Sequence, residues 1–288
     1  MRVAGLLAAA ALASGAPAHD LPLGDGRASS TPRAGYVMTC RAFLAGAPGA
    51  FRSGDWIANG RWDPARKPVV EGDVAWPNAR IDVAVEGGER VVRANNLPRH
   101  HTGEFPIRPG TAAFDYDRNP NRIGEQAILL RLPAAPQAAA QLGCVPMGMI
   151  GFALSGVAIF NAFDAGGRDA PAHEIQDRCN GHPERSSQYH YHNWSPCLAG
   201  RAADEPVGWM LDGFPILGPV DGQGREITNA DLDECHGRVG PVRIDGRIVT
   251  TYHYRFTLEF PYTIGCFRGT PVTLPRRGPP PGPGRPPL

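Results

Sequence analysis

Alternating apolar and polar positions predict β-strands along much of the chain. Residues 80–85 and 89–94 alternate with a period of two, and the Glu-Gly-Gly segment at 86–88 is typical of a hairpin turn joining them. The apolar run at 128–132 predicts a further strand, and the alanine-rich segment 133–141 predicts one short helix. The pattern as a whole favours a mainly β fold.

The second half of the chain repeats a strand pattern. Residues 156–169 align with residues 213–226 at an offset of 57, with identical Gly, Ile, Asp, Gly and Arg positions. Each copy ends in an alternation of tyrosine with a basic residue, Tyr-His-Tyr-His at 189–192 and Tyr-His-Tyr-Arg at 252–255. Because neither copy could bury its apolar face alone, we interpret the two as a duplicated β-unit about a pseudo-two-fold axis.

The composition agrees with this interpretation and excludes several classes of protein. The 36 glycines and 30 prolines disfavour a helical bundle, while 42% hydrophobic residues are enough for a core. We therefore predict a mainly β, compact, disulfide-bonded fold of one or more β-sandwich-like domains, with the duplicated unit in the C-terminal half. The net charge of +1 gives no field to attract nucleic acid or an anionic membrane.

The N-terminus predicts export. Residues 1–18 combine one positive charge, a short apolar stretch and an Ala-Pro-Ala segment, as in a secretory signal peptide removed near Ala18. No later run reaches eighteen apolar residues, so we expect no membrane span in the mature chain. The predicted location is secreted or periplasmic.

Export favours disulfide bonds between the six cysteines. Six cysteines allow 15 pairings, but equivalent cysteines of the two repeats are expected to pair equivalently. The predicted disulfides are Cys179–Cys197, Cys235–Cys266 and Cys40–Cys144. Pairing across the pseudo-two-fold axis is the main alternative.

Several separated motifs resemble those of the YHYH-domain proteins. Besides the Tyr-His-Tyr-His segment, they are the segments at 95–106, 119–123, 177–182, 211–216 and 261–266. The resemblance covers about residues 80–270 and implies an exported protein, but no particular activity. In the second repeat the family pattern leads us to expect histidines where this chain has Arg238 and Arg255. Guanidiniums do not ligate metals, so a second equivalent site is in doubt.

We divide the chain on this basis. After the signal peptide, residues 19–79 form an N-terminal segment that we expect to be partly ordered as β-structure. The YHYH-type domain covers residues 80–270 and contains internal repeats at about 156–200 and 213–268. The proline- and glycine-rich residues 271–288 are predicted to be a disordered tail.

The strand-borne histidines are the strongest functional signal. His190 and His192 share one strand face about 6.6 Å apart, at twice a rise of about 3.3 Å per residue. Two such imidazoles can bind one metal ion if a third ligand comes from His182, His100 or His253. Zinc or copper suits imidazole ligands. Four tyrosines are expected to support the ligands by hydrogen bonds: Tyr189, Tyr191, Tyr252 and Tyr254.

Other interpretations of the same residues remain open. The Tyr/His strands could form a structural hydrogen-bond network, or the histidines could act in acid–base catalysis without a metal. Cys179 and Cys197 could join the histidines in a zinc site, although an oxidising compartment argues against it. The loops after Asp164 and Asp221 could bind calcium but fit turns better. His19 would become an N-terminal copper chelator if cleavage follows Ala18.

The predicted function is therefore an exported metal-binding protein with His190 and His192 as core ligands. The alternative is a non-enzymatic binding or structural module whose Tyr/His strands form a network or a ligand surface. The sequence does not decide whether the protein is an enzyme, and it identifies no small-molecule or protein partner.

Overall fold

The computed structural model describes residues 20–43 and 49–274. It is mainly β, with 32% of residues in strands and 4% in helices, which confirms the predicted fold class. The predicted signal peptide lies outside the described residues, as do residues 275–288 of the predicted tail. The described fold continues past residue 270, because the Val272 backbone N–H donates to the Leu211 carbonyl at 2.9 Å.

Short strands occupy the N-terminal segment, and longer ones follow. The small N-terminal strands are β1 (Leu21–Pro22), β2 (Ala28–Ser29), β3 (Val37–Met38), β4 (Ile57–Ala58) and β5 (Arg61–Trp62). The next three strands form one antiparallel sheet: β6 (Ile81–Glu86), β7 (Glu89–Ala94) and β8 (Ile128–Pro133). The helix predicted over 133–141 is wrong, because β8 runs through Pro133 and only bends follow it. Pro136 also lacks the N–H that a helix interior needs.

An eight-stranded sheet forms the C-terminal half. Its first four strands are β9 (Met149–Ala153), β10 (Ala158–Phe160), β11 (Gly181–Pro183) and β12 (Tyr189–Tyr191). The other four are β13 (Pro206–Met210), β14 (Pro215–Leu217), β15 (Gly237–Ile244) and β16 (Arg247–Arg255). One helical turn, α1 (Ala170–His173), and two 3-10 turns, Pro196–Leu198 and Asn229–Asp231, lie between strands.

The strand order of this sheet is symmetric about its centre. The order is β11-β12-β10-β9-β13-β14-β16-β15, so the same sequence of equivalent strands runs outward from the β9–β13 pair. These two strands are antiparallel, and Phe152 lies opposite Trp209, the residue 57 positions later. A pseudo-two-fold axis therefore passes between Phe152 and Trp209. The repeated unit starts at β9 and β13, several residues before the predicted repeats at 156 and 213.

The three-stranded sheet packs on the same core as the large sheet. Along β8, Ile128, Leu130 and Leu132 are buried and alternate with exposed residues, as expected for a strand with one face in the core. They join one apolar cluster with Phe152 of β9 and Ile216 of β14. This layering gives a sandwich-like arrangement and buries the central strands of the large sheet.

All three predicted disulfides are confirmed. Cys179 pairs with Cys197, Cys235 with Cys266, and Cys40 with Cys144. The first two are equivalent bonds in the two repeats, so the alternative of pairing across the pseudo-two-fold axis is wrong. Within the described part of the chain, no helix is long and apolar enough to cross a membrane.

Candidate metal site

The Tyr-His-Tyr-His segment forms β12, whose alternation sends its side chains to two different faces. His190 and His192 lie together on one face, with their Nε2 atoms 3.0 Å apart. Tyr189 and Tyr191 point to the other face. The two imidazoles are closer than the strand rise suggests because their rings lean toward each other, with centroids 4.7 Å apart.

His182 is the third histidine of this cluster. It lies directly opposite His190 in the antiparallel β11–β12 pair, and their ring centroids are 4.5 Å apart. One ligand nitrogen from each of His182, His190 and His192 lies within 4.8 Å of the other two. All three side chains are at most 4% exposed. The cluster is therefore buried and convergent.

Glu174 completes the cluster and was missed in the sequence. It follows α1, whose N-terminus is capped by Asp169 through a hydrogen bond from the Ala172 N–H. Its Oε2 lies 3.5 Å from His182 Nε2 and 3.6 Å from His192 Nε2. No motif spacing marks Glu174, because the turn of α1 and the strand pairing bring it to the histidines.

Hydrogen bonds fix which imidazole nitrogens carry protons. His190 Nδ1 lies 3.1 Å from the Gln188 carbonyl, and His192 Nδ1 lies 2.5 Å from the Asn161 carbonyl. A carbonyl oxygen only accepts, so both Nδ1 atoms must donate. The Nε2 lone pairs of His190 and His192 therefore face each other across 3.0 Å.

Three further polar atoms of the cluster have no hydrogen-bond partner among the described residues. Both ring nitrogens of His182 and Oε2 of Glu174 are buried and unpaired. Burying such groups without a partner is costly, and so is the contact between two lone pairs. The arrangement therefore brings three imidazoles together beside one carboxylate, a donor set that could hold a metal ion.

The electrostatics of the cluster keep the imidazoles neutral. Burial is the main cause that lowers the pKa of His182 and His190 well below the usual value and that of His192 to about 4. Burial, followed by repulsion from Asp164, raises the pKa of Glu174 well above its usual value. Neutral imidazoles are the form that binds metal ions.

Lys67, the only lysine of the chain, forms hydrogen bonds with the backbone of the segment that carries Glu174. Its ammonium donates to the Pro171 carbonyl at 2.5 Å, to the Glu174 carbonyl at 2.8 Å and to the Gln176 side chain. Burial lowers the pKa of Lys67 to about 7, although nearby carboxylates oppose this shift. Lys67 is a positioning residue for the segment that carries Glu174.

Two of the predicted third ligands are not part of this cluster. His100 lies on the tyrosine face of β12, where its Nε2 is 2.5 Å from the Tyr191 hydroxyl. His253 lies on β16, and four strands separate β16 from β12 in the sheet. The prediction that either residue completes a site with His190 and His192 is therefore wrong. Only His182 is brought to them.

The tyrosines do not support the three imidazoles of the cluster as predicted, because strand alternation turns them away. The Tyr189 hydroxyl donates to Asp177 at 2.9 Å, and the Tyr252 hydroxyl donates to Asp233 at the same distance. Tyr191 lies 3.1 Å from the Ser155 hydroxyl, and Tyr254 donates to Asp212 at 2.5 Å. These hydrogen bonds form a buried structural network, while backbone carbonyls orient the histidines.

Residues of the alternative zinc and calcium sites are engaged in other bonds. His100 lies close to the sulfurs of Cys179 and Cys197, but those sulfurs form a disulfide and supply no thiolate ligand. Asp164 accepts hydrogen bonds from the Arg168 backbone and side chain, both at 2.8 Å, as in a turn. His19 lies outside the described residues.

The second repeat has the same register but different chemistry on the equivalent face. Arg238 lies opposite His253 in the β15–β16 pair, as His182 lies opposite His190. Arg255 follows two residues after His253 on the same face. Only the first repeat therefore carries three imidazoles.

Comparison with known proteins agrees with the motifs. A family model described as "YHYH protein" matches residues 129–225, from β8 to the turn after β14. This region contains all four residues of the candidate site. This match, over about a third of the chain, supports membership of the YHYH protein family. No curated protein and no solved structure matches it.

Proposed function

We propose that this chain is an exported metal-binding protein of the YHYH family. His182, His190 and His192 supply three nitrogen ligands, and Glu174 supplies a carboxylate oxygen. The metal is zinc or copper, because neutral imidazoles favour both and no thiolate is offered.

One observation carries this proposal: the Nε2 atoms of His190 and His192 face each other at 3.0 Å, while both Nδ1 atoms face backbone carbonyls. Two nitrogens bound at about 2.0–2.1 Å to one tetrahedral ion lie about 3.3 Å apart, close to the spacing seen here. A metal ion would convert this repulsion into two bonds and would also satisfy His182 and Glu174. A purely structural network leaves these atoms unpaired.

Export is supported by the disulfides. Three disulfides persist in oxidising compartments such as the periplasm or the extracellular space. The apolar N-terminal stretch adds the features of a signal peptide. In such a compartment the cysteines do not compete with the histidines for the metal.

Elemental analysis of protein exported without a histidine tag tests the proposal. We expect about one equivalent of zinc or copper in the parent protein, since the four ligands define one site. The His190→Ala/His192→Ala double variant should lose it, and Glu174→Gln should bind about 10–100-fold more weakly. His253→Ala is the matched control, because it removes the equivalent buried imidazole of the second repeat, and it should keep the metal.

Circular dichroism and the count of free thiols establish that each variant is folded. If the folded double variant still contains metal, the metal site lies elsewhere in the protein. If the parent protein is metal-free and takes up neither zinc nor copper on reconstitution, the proposal is rejected. In that case the second candidate function, a binding or structural module, would account for the protein. The observation that favours it is the buried hydrogen bond of Tyr189 with Asp177.

A further inference from the structure

In the second repeat, Arg255 replaces the histidine of the first repeat but its side chain is oriented in the same way. In the first repeat the Asn161 carbonyl accepts from His192 Nδ1. The carbonyl 57 residues later, that of Gly218, accepts from Arg255 Nη1 at 3.0 Å, and the Val220 carbonyl accepts from the same atom at 2.9 Å. Arg255 therefore lies where His192 lies in the first repeat, held toward the same kind of site.

This face of the second repeat is positively charged and has no neutralising carboxylate. Within the described residues, neither Arg238 nor Arg255 forms an ion pair with an acidic side chain within 4.0 Å. Two carboxylates raise the pKa of Arg255 by long-range attraction, but each is already paired with another arginine. These pairs are Asp204 with Arg243, at 3.0 Å, and Asp221 with Arg225, at 3.1 Å.

The segment equivalent to the one that carries Glu174 also fails to supply a negative charge here. It contains Ala230 and Asp231 in the second repeat. Asp231 is engaged by Arg225 at 3.0 Å and by the Thr228 N–H at 2.9 Å. The carboxylate of the first cluster therefore has no counterpart in the second.

Two buried polar atoms of this cluster lack partners. The side chain of Arg255 is 4% exposed and that of His253 is 1% exposed, and both Arg255 Nε and His253 Nε2 are buried without a hydrogen-bond partner in the described structure. A buried guanidinium N–H without an acceptor is costly, because it has lost its water. Burial, followed by the charge of Arg238, lowers the pKa of Arg255 to about 10.

We propose that Arg238, His253 and Arg255 form a binding site for an oxyanion, the phosphate, sulfate or carboxylate group of a small ligand. Guanidinium N–H groups match the oxygens of such groups and form charge-assisted hydrogen bonds with them. His253 Nδ1 faces the Thr251 carbonyl at 3.4 Å, so His253 Nε2 donates to the anion only when the imidazole takes up a second proton. The two repeats thus use one scaffold for opposite charges, a cation in the first and an anion in the second.

Calorimetric titration of the full exported protein with sodium phosphate tests this site, in sodium chloride of matched ionic strength. We expect one phosphate per chain and a higher Tm with phosphate than with chloride. Arg238→Gln should weaken binding about tenfold or more, the effect of losing one charge-assisted hydrogen bond. Arg247→Gln, an exposed charge at the start of the same strand β16, is the matched control and should bind as the parent does.

Separate titrations identify the anion and test whether it binds in the first repeat instead. Binding of acetate but not phosphate would support the proposal with a carboxylate as the ligand group. The His190→Ala/His192→Ala variant should retain phosphate, since its loss there would mean that phosphate binds a metal in the first repeat. Absence of binding by phosphate, sulfate and acetate, or equal binding by Arg238→Gln and Arg247→Gln, would overturn the proposal. Arg238 is only partly buried, so this test does not depend on the folding of an Arg255 variant.

Discussion

The two repeats of the large sheet differ on one strand face and agree on the other. On the tyrosine face, Tyr189 donates to Asp177, and Tyr252 donates to Asp233. The same two carboxylates accept backbone N–H groups of the following turns, and a disulfide starts from each turn. On the opposite face the first repeat carries three imidazoles, whereas the second carries one imidazole and two guanidiniums.

This difference distinguishes the residues that stabilise the repeated unit from those that vary on its other face. Strand alternation keeps the two faces independent, so substitutions on one face leave the hydrogen bonds of the other intact. Tyrosine, aspartate and cysteine form the common scaffold, and positions 182, 190 and 192 with their equivalents carry the residues that we propose select the bound ion.

The largest expected effect comes from the scaffold carboxylates. Asp177 is fully buried and accepts from Tyr189 and from the backbone N–H groups of Gly103, Cys179 and Gly181. Asp177→Ala leaves these donors without an acceptor and should lower the free energy of unfolding by about 3–5 kcal/mol. Urea denaturation followed by circular dichroism measures this loss.

Asp233→Ala is the equivalent change in the second repeat and should cost less, about 1–3 kcal/mol. Asp233 is partly exposed, so water can replace the lost acceptor. An equal or larger loss for Asp233→Ala would contradict the view that the first repeat has the more deeply buried network.

A smaller effect is expected from rebuilding the histidine set in the second repeat. The Arg238→His/Arg255→His variant places three imidazoles on β15 and β16 in the register of the first repeat. Zinc titration should then show a second equivalent, at least about 10-fold weaker than the first because no carboxylate equivalent to Glu174 is present. The same variant should no longer bind phosphate. A second site as tight as the first would show that Glu174 is not a ligand.

Periodicity and duplication were sufficient to predict most of the fold. The repeat offset predicted the pseudo-two-fold arrangement and, through it, the disulfides Cys179–Cys197 and Cys235–Cys266. The start of the repeated unit was missed because β9 and β13 share almost no identical residues, although they occupy equivalent central positions.

The candidate site was predicted only in part. His190 and His192 follow from strand alternation, whereas His182 was one of three candidates for the third ligand. Glu174 could not be found from spacing, because its position depends on the turn after α1 and on the Lys67 contacts. His100 was assigned wrongly for the same reason: a loop far away in sequence places it on the tyrosine face, which alternation alone does not reveal.

The most direct test of the metal site is an anomalous difference map from crystals of the exported protein, with data collected on both sides of the zinc and copper absorption edges. We expect one peak within about 2.0–2.2 Å of the Nε2 atoms of His190 and His192 and of a nitrogen of His182, with a Glu174 oxygen at a similar distance. A metal bound only at another position, or an ordered but metal-free cluster in protein reconstituted with zinc and copper, would contradict it.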